Sequence, residues 1–378
     1  MASHEGAIGV NPNQYEEPMM KIPTMHIPGV SDTTDDTRTP FPLDQWYVAA
    51  LGKELTDKPL ARTLLCNKVV MFRDGEGKAF ALEDRCCHRA LPLSSGTVEA
   101  CGIRCGYHGM LYNGQGQCLE VPGQDMVPPR AKVKKYHVEE KDSIIWIWFG
   151  RDEAAAPSCA PPDYTVHSSG DYIWDGSAFH YEAPYQLIHD NLLDLSHLGY
   201  VHLKTIGGDA KTHMNAEMKV KAEAKSVRVV RHMLNSAPPP TYTAAYPFKG
   251  LIDRWQEIEF YPSHLRIWTG AVDAGSEDIN NPSRGGFHMR GFHGVTPETE
   301  STAHYIWTIA TNPESNEEEV LKKVVDQTAM TFDEDKVVIE DQYANMLSFG
   351  EAPLVSIHVD AGANRARRII DTLRTVAN

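Results

Sequence analysis

Two short segments, Cys86-Cys87-His88 and Cys105-Gly106-Tyr107-His108, each bring one thiol and one imidazole to a tight stretch of chain, with sixteen residues between them. A pair of Cys/His loops is a metal site before it is anything else, and it obliges the backbone between them to fold back on itself. Cys2His2 zinc modules typically join two closely spaced cysteines to two closely spaced histidines, a pattern missing here. A Rieske [2Fe-2S] centre needs what is present, two thiolates on one iron and two neutral imidazoles on the other. Gly102, Gly106 and Gly109 permit turns that aim backbone N–H groups at sulfur, and Tyr107 is placed to donate a hydrogen bond and shield the cluster. Cys87 is expected to point away as a packed thiol. Cys66, Cys101, Cys118 and Cys159 lack a partner pattern and are expected to be small buried hydrophobes.

A second constellation lies further on, in Asn191-Leu-Leu-Asp194-Leu-Ser-His197-Leu-Gly-Tyr-Val-His202. A helix is expected around Tyr185 to His202. A five-residue step on a helix turns about 140°, so His202 joins His197 only where the helix breaks, and Gly199 is the expected break. Two imidazoles and one carboxylate on one side of an octahedral iron leave positions open for O2. Asp194 is placed either to ligate or to take a hydrogen bond from the far nitrogen of an imidazole, and the second role is preferred. For the carboxylate ligand the choice falls on Asp335 within Phe332-Asp-Glu-Asp-Lys336, with Asp333 and Glu334 as neighbours of the same chemistry. Asn191 is a candidate to hydrogen-bond water near the iron. His288 and His293, close to Gly285, Gly286 and Gly291, are candidates to line a cavity. Trp255, Phe260, Trp268, Phe287 and Trp307 are expected first of all in the core, where any one or two that face the iron would form an apolar slot for a ring substrate.

The chain of 378 residues divides into an arm (1–42), a β-rich segment (43–160) and a mixed segment (161–378). The arm is rich in Pro, Asp, Thr and Met without periodicity. In the β-rich segment, runs such as Leu64–Phe72 and Ser143–Gly150 alternate with Asp74-Gly-Glu-Gly77 and Asn113-Gly-Gln-Gly116 turns. Ala154–Pro162 reads as a linker. The last segment mixes strands over Val220–Arg231, Arg254–Tyr261, Leu265–Gly270 and His304–Ala310 with helices around Glu317–Met346 and Asn364–Val376, an α+β pattern. A formal charge of -15 repels phosphate backbones and anionic lipid, so neither nucleic acid nor membrane is an expected partner. No signal segment is visible, and a cytoplasmic location follows as the expectation.

With its Cys-x-His, Cys-x2-His and Asn-x2-Asp-x2-His-x4-His motifs in that order, the chain resembles the oxygenase components of Rieske non-haem iron oxygenases. Within them it is most similar to the vanillate and dicamba O-demethylase type, through Trp46-Tyr-Val-Ala-Ala50, Ala81-Leu-Glu-Asp-Arg-Cys86, His293–Glu300 and Asp360–Arg368. The resemblance implies an all-β Rieske domain followed by a helix-grip catalytic domain, assembled as a homotrimer. It implies that Cys86, His88, Cys105 and His108 hold the [2Fe-2S] cluster, that His197, His202 and Asp335 hold a mononuclear Fe(II), and that Asp194 bridges to His108 of a neighbouring subunit. Electrons would come from NAD(P)H through a separate flavin reductase or ferredoxin. The implied reaction is O2-dependent O- or N-dealkylation of an aromatic compound. Met110, where many relatives carry Trp, and Cys87, where many carry Pro, change the apolar cover of the cluster. Ring dihydroxylation is the competing enzymatic reading. A pure electron carrier needs no second metal site, and the Asp194/His197/His202 set argues against it.

Overall fold

The protein is described from a computed structural model that covers residues 38–203, 205–312, 317–350 and 354–375. Most of the expected arm, residues 1–37, lies outside the described residues. Its end is tied to the C-terminus: Thr39 N donates to Arg374 O at 2.8 Å, and Arg374 Nε donates back to Thr39 O at 2.7 Å.

Three small antiparallel sheets make up the N-terminal part. In the first, Ile144–Phe149 is central between Gln45–Leu51 and Val138–Lys141. All six residues of that central strand are buried, because the alternation of side chains sends them into two different cores. Ile145, Ile147 and Phe149 join the main core, while Ile144, Trp146 and Trp148 pack with Phe292 and Ile306 of the C-terminal sheet. A buried tryptophan removes about 150–250 Å² from water, about 4–6 kcal/mol at about 25 cal/mol per Å², so this contact is a packed core and not a hinge.

The second sheet corrects one sequence expectation. The run Leu64–Phe72 is not one strand: Leu60–Leu64 and Asn67–Arg73 form a hairpin whose turn residues, Leu65 and Cys66, have φ of 49° and 63°. Such turns usually carry Asn-Gly. Here the strain is held from outside, since Leu65 N and Cys66 N donate to Pro297 O and Glu298 O, each at 2.8 Å. The third sheet, Thr97–Glu99, Gly102–Arg104, Leu111–Tyr112 and Cys118–Glu120, carries one of the two Cys/His loops.

The C-terminal part is a seven-stranded antiparallel sheet in the order Ile173–Tyr181, Ala303–Thr311, Phe287–Pro297, His264–Asp273, Ile252–Tyr261, Val227–Ser236, Glu217–Ala222. The expected strand Val220–Arg231 is therefore two strands, turned where Glu223 N donates to Ser226 O. Helices α1 (Tyr185–Leu193), α2 (Leu198–Val201), α3 (Ala210–Met214), α4 (Pro240–Ala245), α5 (Glu317–Phe349) and α6 (Ala361–Arg374) complete it. The antiparallel sheet with packed helices is an α+β fold. On α5 the buried residues Val324, Thr328, Thr331, Phe332, Asp335, Ile339 and Tyr343 recur every three or four positions, a single inward stripe with a carboxylate in it.

The helix expected from Tyr185 to His202 breaks at Asp194, not at Gly199. Asp194 ends α1 with φ -119° and ψ 95°, and its Oδ1 accepts from Ser196 N at 2.9 Å to start the 3₁₀ turn Leu195–His197. Gly199 serves packing instead: a Cβ there would meet Ala210 Cα at 2.2 Å, so α2 lies against the start of α3 only because the side chain is missing.

Candidate metal centres and active site

The two Cys/His loops are built alike. Ala90 N donates to Cys86 O and Cys86 N to Leu91 O, while Gly109 N donates to Cys105 O and Cys105 N to Met110 O. Ala90 and Gly109, four residues past each cysteine, both take positive φ, 58° and 73°. The sulfurs are buried and the imidazoles exposed, with the His88 and His108 ring centroids 4.5 Å apart. Burial pushes the Cys105 thiol up, against the N–H groups of Tyr107 and His108, which point at it and lower it. Desolvation, with His88 and Arg89 nearby, holds His108 below its usual value, as suits a neutral ligand. Two unbridged buried thiols, that of Cys105 facing backbone N–H groups, beside two imidazoles at an exposed tip, fit a [2Fe-2S] cluster of the Rieske kind.

Among Tyr107 and the remaining cysteines the structure differs from expectation in three ways. Tyr107 is 60% exposed, and Tyr112 covers sulfur in its place, its hydroxyl 3.2 Å from Cys86 Sγ and 3.1 Å from Cys87 Sγ. Cys87 is exposed rather than packed. Of the cysteines without a pattern only Cys118 is buried; Cys66, Cys101 and Cys159 are exposed because each sits in a turn or loop.

The second centre joins the break after α1 to α5. One donor atom from each of His197, His202 and Asp335 lies within 4.8 Å of the others. His202 Nε2 is 3.0 Å and His197 Nε2 3.3 Å from Asp335 Oδ1. The far nitrogens are already committed: His197 Nδ1 is 2.6 Å from the Asp194 carbonyl, and His202 Nδ1 is 2.8 Å from Glu334 Oε2. Both Nε2 atoms are thereby left for a metal. The partner of His197 is the backbone oxygen of Asp194, not its carboxylate as expected. Burial alone would raise Asp335, but His197 and His202 outweigh it and hold the carboxyl below its usual range. Asn191 Nδ2 donates to Asp335 Oδ1 at 2.9 Å, so its observed partner is the carboxylate. Asp333 is exposed. Two imidazoles and a buried carboxylate converging on one point fit octahedral Fe(II) with one face open.

Over this point lies a cleft between α1, α5 and the sheet. Its walls are largely apolar, with Leu192, Ile267, Ile309 and Phe332 among them. His293 lines it as expected; its Nδ1 is 2.7 Å from the Tyr305 hydroxyl, and burial lowers its pKa to about 3, so the ring is neutral. His288 does not line it, being held by Trp268 Nε1 and by the Arg284 and Gly285 carbonyls. Nor do Trp255, Phe260, Trp268, Phe287 or Trp307; beside Trp255 and Trp268 the alternating strand neighbours Arg254, Gln256, Ile267 and Thr269 face it instead.

Residues 45–137 match the family model of the Rieske [2Fe-2S] domain, and residues 181–375 that of the vanillate O-demethylase oxygenase C-terminal domain. The chain belongs to the Rieske non-haem iron oxygenases. As an oxygenase component of that family it carries a [2Fe-2S] cluster and a mononuclear iron. It is 35% identical to a toluene-4-sulfonate monooxygenase system iron-sulfur subunit of Comamonas testosteroni, over 88% of this chain and 97% of that one. Identity with the vanillate O-demethylase oxygenase subunit of Pseudomonas sp. strain HR199 is 34%, over 88% and 95%. A crystal structure of dicamba monooxygenase bound to dicamba superposes with a TM-score of 0.80 at 31% identity, covering 88% of this chain and 98% of that one. Tyr112, Arg254 and Gln256 carried no motif in the sequence, and Glu334, a candidate only as a ligand, instead bonds the far nitrogen of His202. The inward stripe of α5 was a signal for Asp335, and the strand alternation Arg254-x-Gln256 marked one face without saying which.

Proposed function

We propose that Cys86 and Cys105 with His88 and His108 hold the cluster, that His197, His202 and Asp335 hold the iron, and that the enzyme oxidatively removes an O- or N-alkyl group from an aromatic compound. The observation that carries this reading is the convergence of His197, His202 and Asp335 beneath a largely apolar cleft. When bound, the cluster supplies single electrons and the iron supplies O2 activation. The protein's own contribution is positional. Glu334 and the Asp194 carbonyl fix the two imidazoles, Asn191 holds the Asp335 carboxylate, and the apolar walls exclude water and orient a ring. Balanced for a methyl ether, the ether, O2, two electrons and two protons become the phenol, formaldehyde and water. A hydroxylated carbon bearing oxygen or nitrogen collapses without further catalysis. A carbon attached only to the ring would keep its hydroxyl, and the likeness to the toluene-4-sulfonate monooxygenase subunit favours that as the second reading.

The working assembly is proposed as a homotrimer. His88, His108 and Tyr107 form an exposed tip, and the Asp194 carboxylate, bonded through Oδ1 to Ser196 and Arg231, leaves Oδ2 for an imidazole of the next subunit. A cytoplasmic location is proposed from the need for NAD(P)H and from seven cysteines without a disulfide. Among the described residues no helix is long and apolar enough to cross a membrane.

Reconstitution with a flavin reductase and a ferredoxin, followed by assay of O-methyl, N-alkyl and C-methyl aromatics, tests the reaction. Formaldehyde in equal amount with the phenol from an O-methyl substrate, or with the amine from an N-methyl one, coupled to O2 uptake, is expected. A cis-dihydrodiol as the product would overturn dealkylation in favour of ring dihydroxylation.

A further inference from the structure

Four arginines are buried among the described residues, Arg231, Arg254, Arg284 and Arg374. Three have a carboxylate: Arg284 has Glu257 at 2.6 Å, Arg231 has Asp194 at 3.4 Å and Arg374 has Asp371 at 3.8 Å. Arg254, 4% exposed, has none among the described residues. Its contacts are two long hydrogen bonds, from Nη1 to Gly207 O at 3.4 Å and from Nη2 to Ile206 O at 3.2 Å, and the face of Tyr242 at 4.8 Å. Its Nε is buried without a partner. The guanidinium of Arg231 is close enough to repel it, and the carboxylate in that pair, Asp194, is bonded to Arg231.

Arg254 lines the cleft over the iron ligands, and it stands against the loop that follows one of them, since Gly207 N donates to His202 O at 3.0 Å. Two residues along the same strand, and so on the same face, Gln256 also lines the cleft. It is wholly buried with neither amide atom partnered, and the Tyr242 hydroxyl beside Arg254 is buried and unpartnered too. A buried cation without a counter-charge and a buried amide without hydrogen bonds are both costly to a fold. One ligand satisfies the donors of this group: an oxyanion, which takes the Nε/Nη edge of a guanidinium side by side and accepts from Gln256 Nε2 and the Tyr242 hydroxyl. The rest of the cleft wall is apolar and suits the ring to which that anion is attached.

We infer that Arg254, Gln256 and Tyr242 bind the anionic group of the substrate, and that the compound oxidised here is therefore an aryl carboxylate or aryl sulfonate rather than a neutral arene. This rests on the proposed function only in taking the cleft as the substrate's. The competing role for Arg254 is to prop the Ile206–Gly207 loop, which would affect charged and neutral ligands alike.

The test is equilibrium binding to the oxygen-free holoenzyme by calorimetry, with 4-methoxybenzoate, 4-methoxybenzenesulfonate and the uncharged 4-methoxybenzamide. Arg254→Gln is expected to weaken the anions about 10- to 100-fold, the range for a lost hydrogen bond to a charged group, and to change the amide less than about twofold. Arg254→Lys, which keeps the charge but loses the fork, should fall between. An unchanged visible spectrum of the cluster shows that the variants are folded. Loss for only one of the two anions upholds the inference and assigns the headgroup. Equal weakening of all three ligands, or of none, overturns it. Binding that behaves as expected while no probe is ever dealkylated would count against the proposed reaction and leave this site standing.

Discussion

Glu334 Oε2 lies 2.8 Å from His202 Nδ1, while Asp335, the next residue of α5, lies 3.0 Å from Nε2 of the same ring. One wholly buried imidazole is thus gripped at both nitrogens by consecutive carboxylates of one helix. Desolvation would lower the pKa of this histidine, and the two carboxylates more than offset it, so it stands above its usual value before metal is bound.

Glu334→Gln tests that grip. The amide can still hydrogen-bond Nδ1 but lacks the charge that raises ligand basicity, and an outer partner of this kind is typically worth about 10- to 100-fold in metal affinity. Iron binding at the mononuclear site, titrated against a chelator, should weaken by that range while cluster content stays constant. Unchanged affinity would show that Glu334 only packs against the ring.

The four Cys/His residues and the His197/His202 pair were legible because each set lies on one short stretch of chain. Asp335 is 133 residues from His202 and was still readable, because it falls in the buried stripe of α5 while Asp333 and Glu334 fall outside it. Glu334 was not, since its role depends on the helix rotating it to the far side of a ring. The break at Asp194 had a local signature, an Asp two residues before a Ser whose N–H it caps, whereas Gly199, the more obvious helix breaker, lies inside α2. The Leu65-Cys66 turn had none: its left-handed backbone is held by Pro297 and Glu298, more than two hundred residues away. Arg254 and Gln256 were invisible for a similar reason, because strand alternation says which residues share a face but not which face looks at a metal.

Tyr112→Phe should lower the midpoint potential of the cluster. Toward a ligated thiolate the Tyr112 hydroxyl, 3.2 Å from Cys86 Sγ, is the donor, and such a bond favours the reduced, more negative state. Losing about 1 kcal/mol of that preference corresponds to a fall of about 40 mV for one electron. Redox titration followed by EPR measures it, and an unshifted potential would mean that the hydroxyl bonds Cys87 alone.

Stability in acid depends on buried neutral histidines. His189 is 1% exposed with both ring nitrogens unpartnered, packed edge-on to Tyr185 and Phe260, and burial lowers its pKa to about 3. The unfolded chain binds a proton there from about pH 6.5, so the stabilisation is full above that pH and is lost as pH falls toward 3, at up to about 1.4 kcal/mol per pH unit. His189→Leu, which removes two unsatisfied nitrogens, should cost little at pH 8 and should flatten the decline in urea-unfolding free energy between pH 6 and pH 4 by about one proton. Parallel pH profiles for the two proteins would show that His189 is not held neutral in the fold.

Asp194→Asn and Asp335→Asn separate the two carboxylates of the iron site. Asn caps a helix as well as Asp does, so the Ser196 N–H keeps its acceptor and the turn that carries His197 should persist. Arg231 loses its carboxylate, a cost of about 1–3 kcal/mol to stability that leaves the protein folded at assay temperature. The proposed bridge by Asp194 between subunits predicts that its Asn variant retains iron and a reducible cluster yet passes electrons to the iron slowly, at least about tenfold below the parent in a single-turnover measurement. Asp335→Asn replaces a charged oxygen donor of the site with a weaker neutral one, so iron per chain should fall before any rate is measured, and Asp335→Ala, which removes the donor, should lower it further. Iron lost from Asp194→Asn but kept by Asp335→Ala would show that the bridge and the ligand have been exchanged.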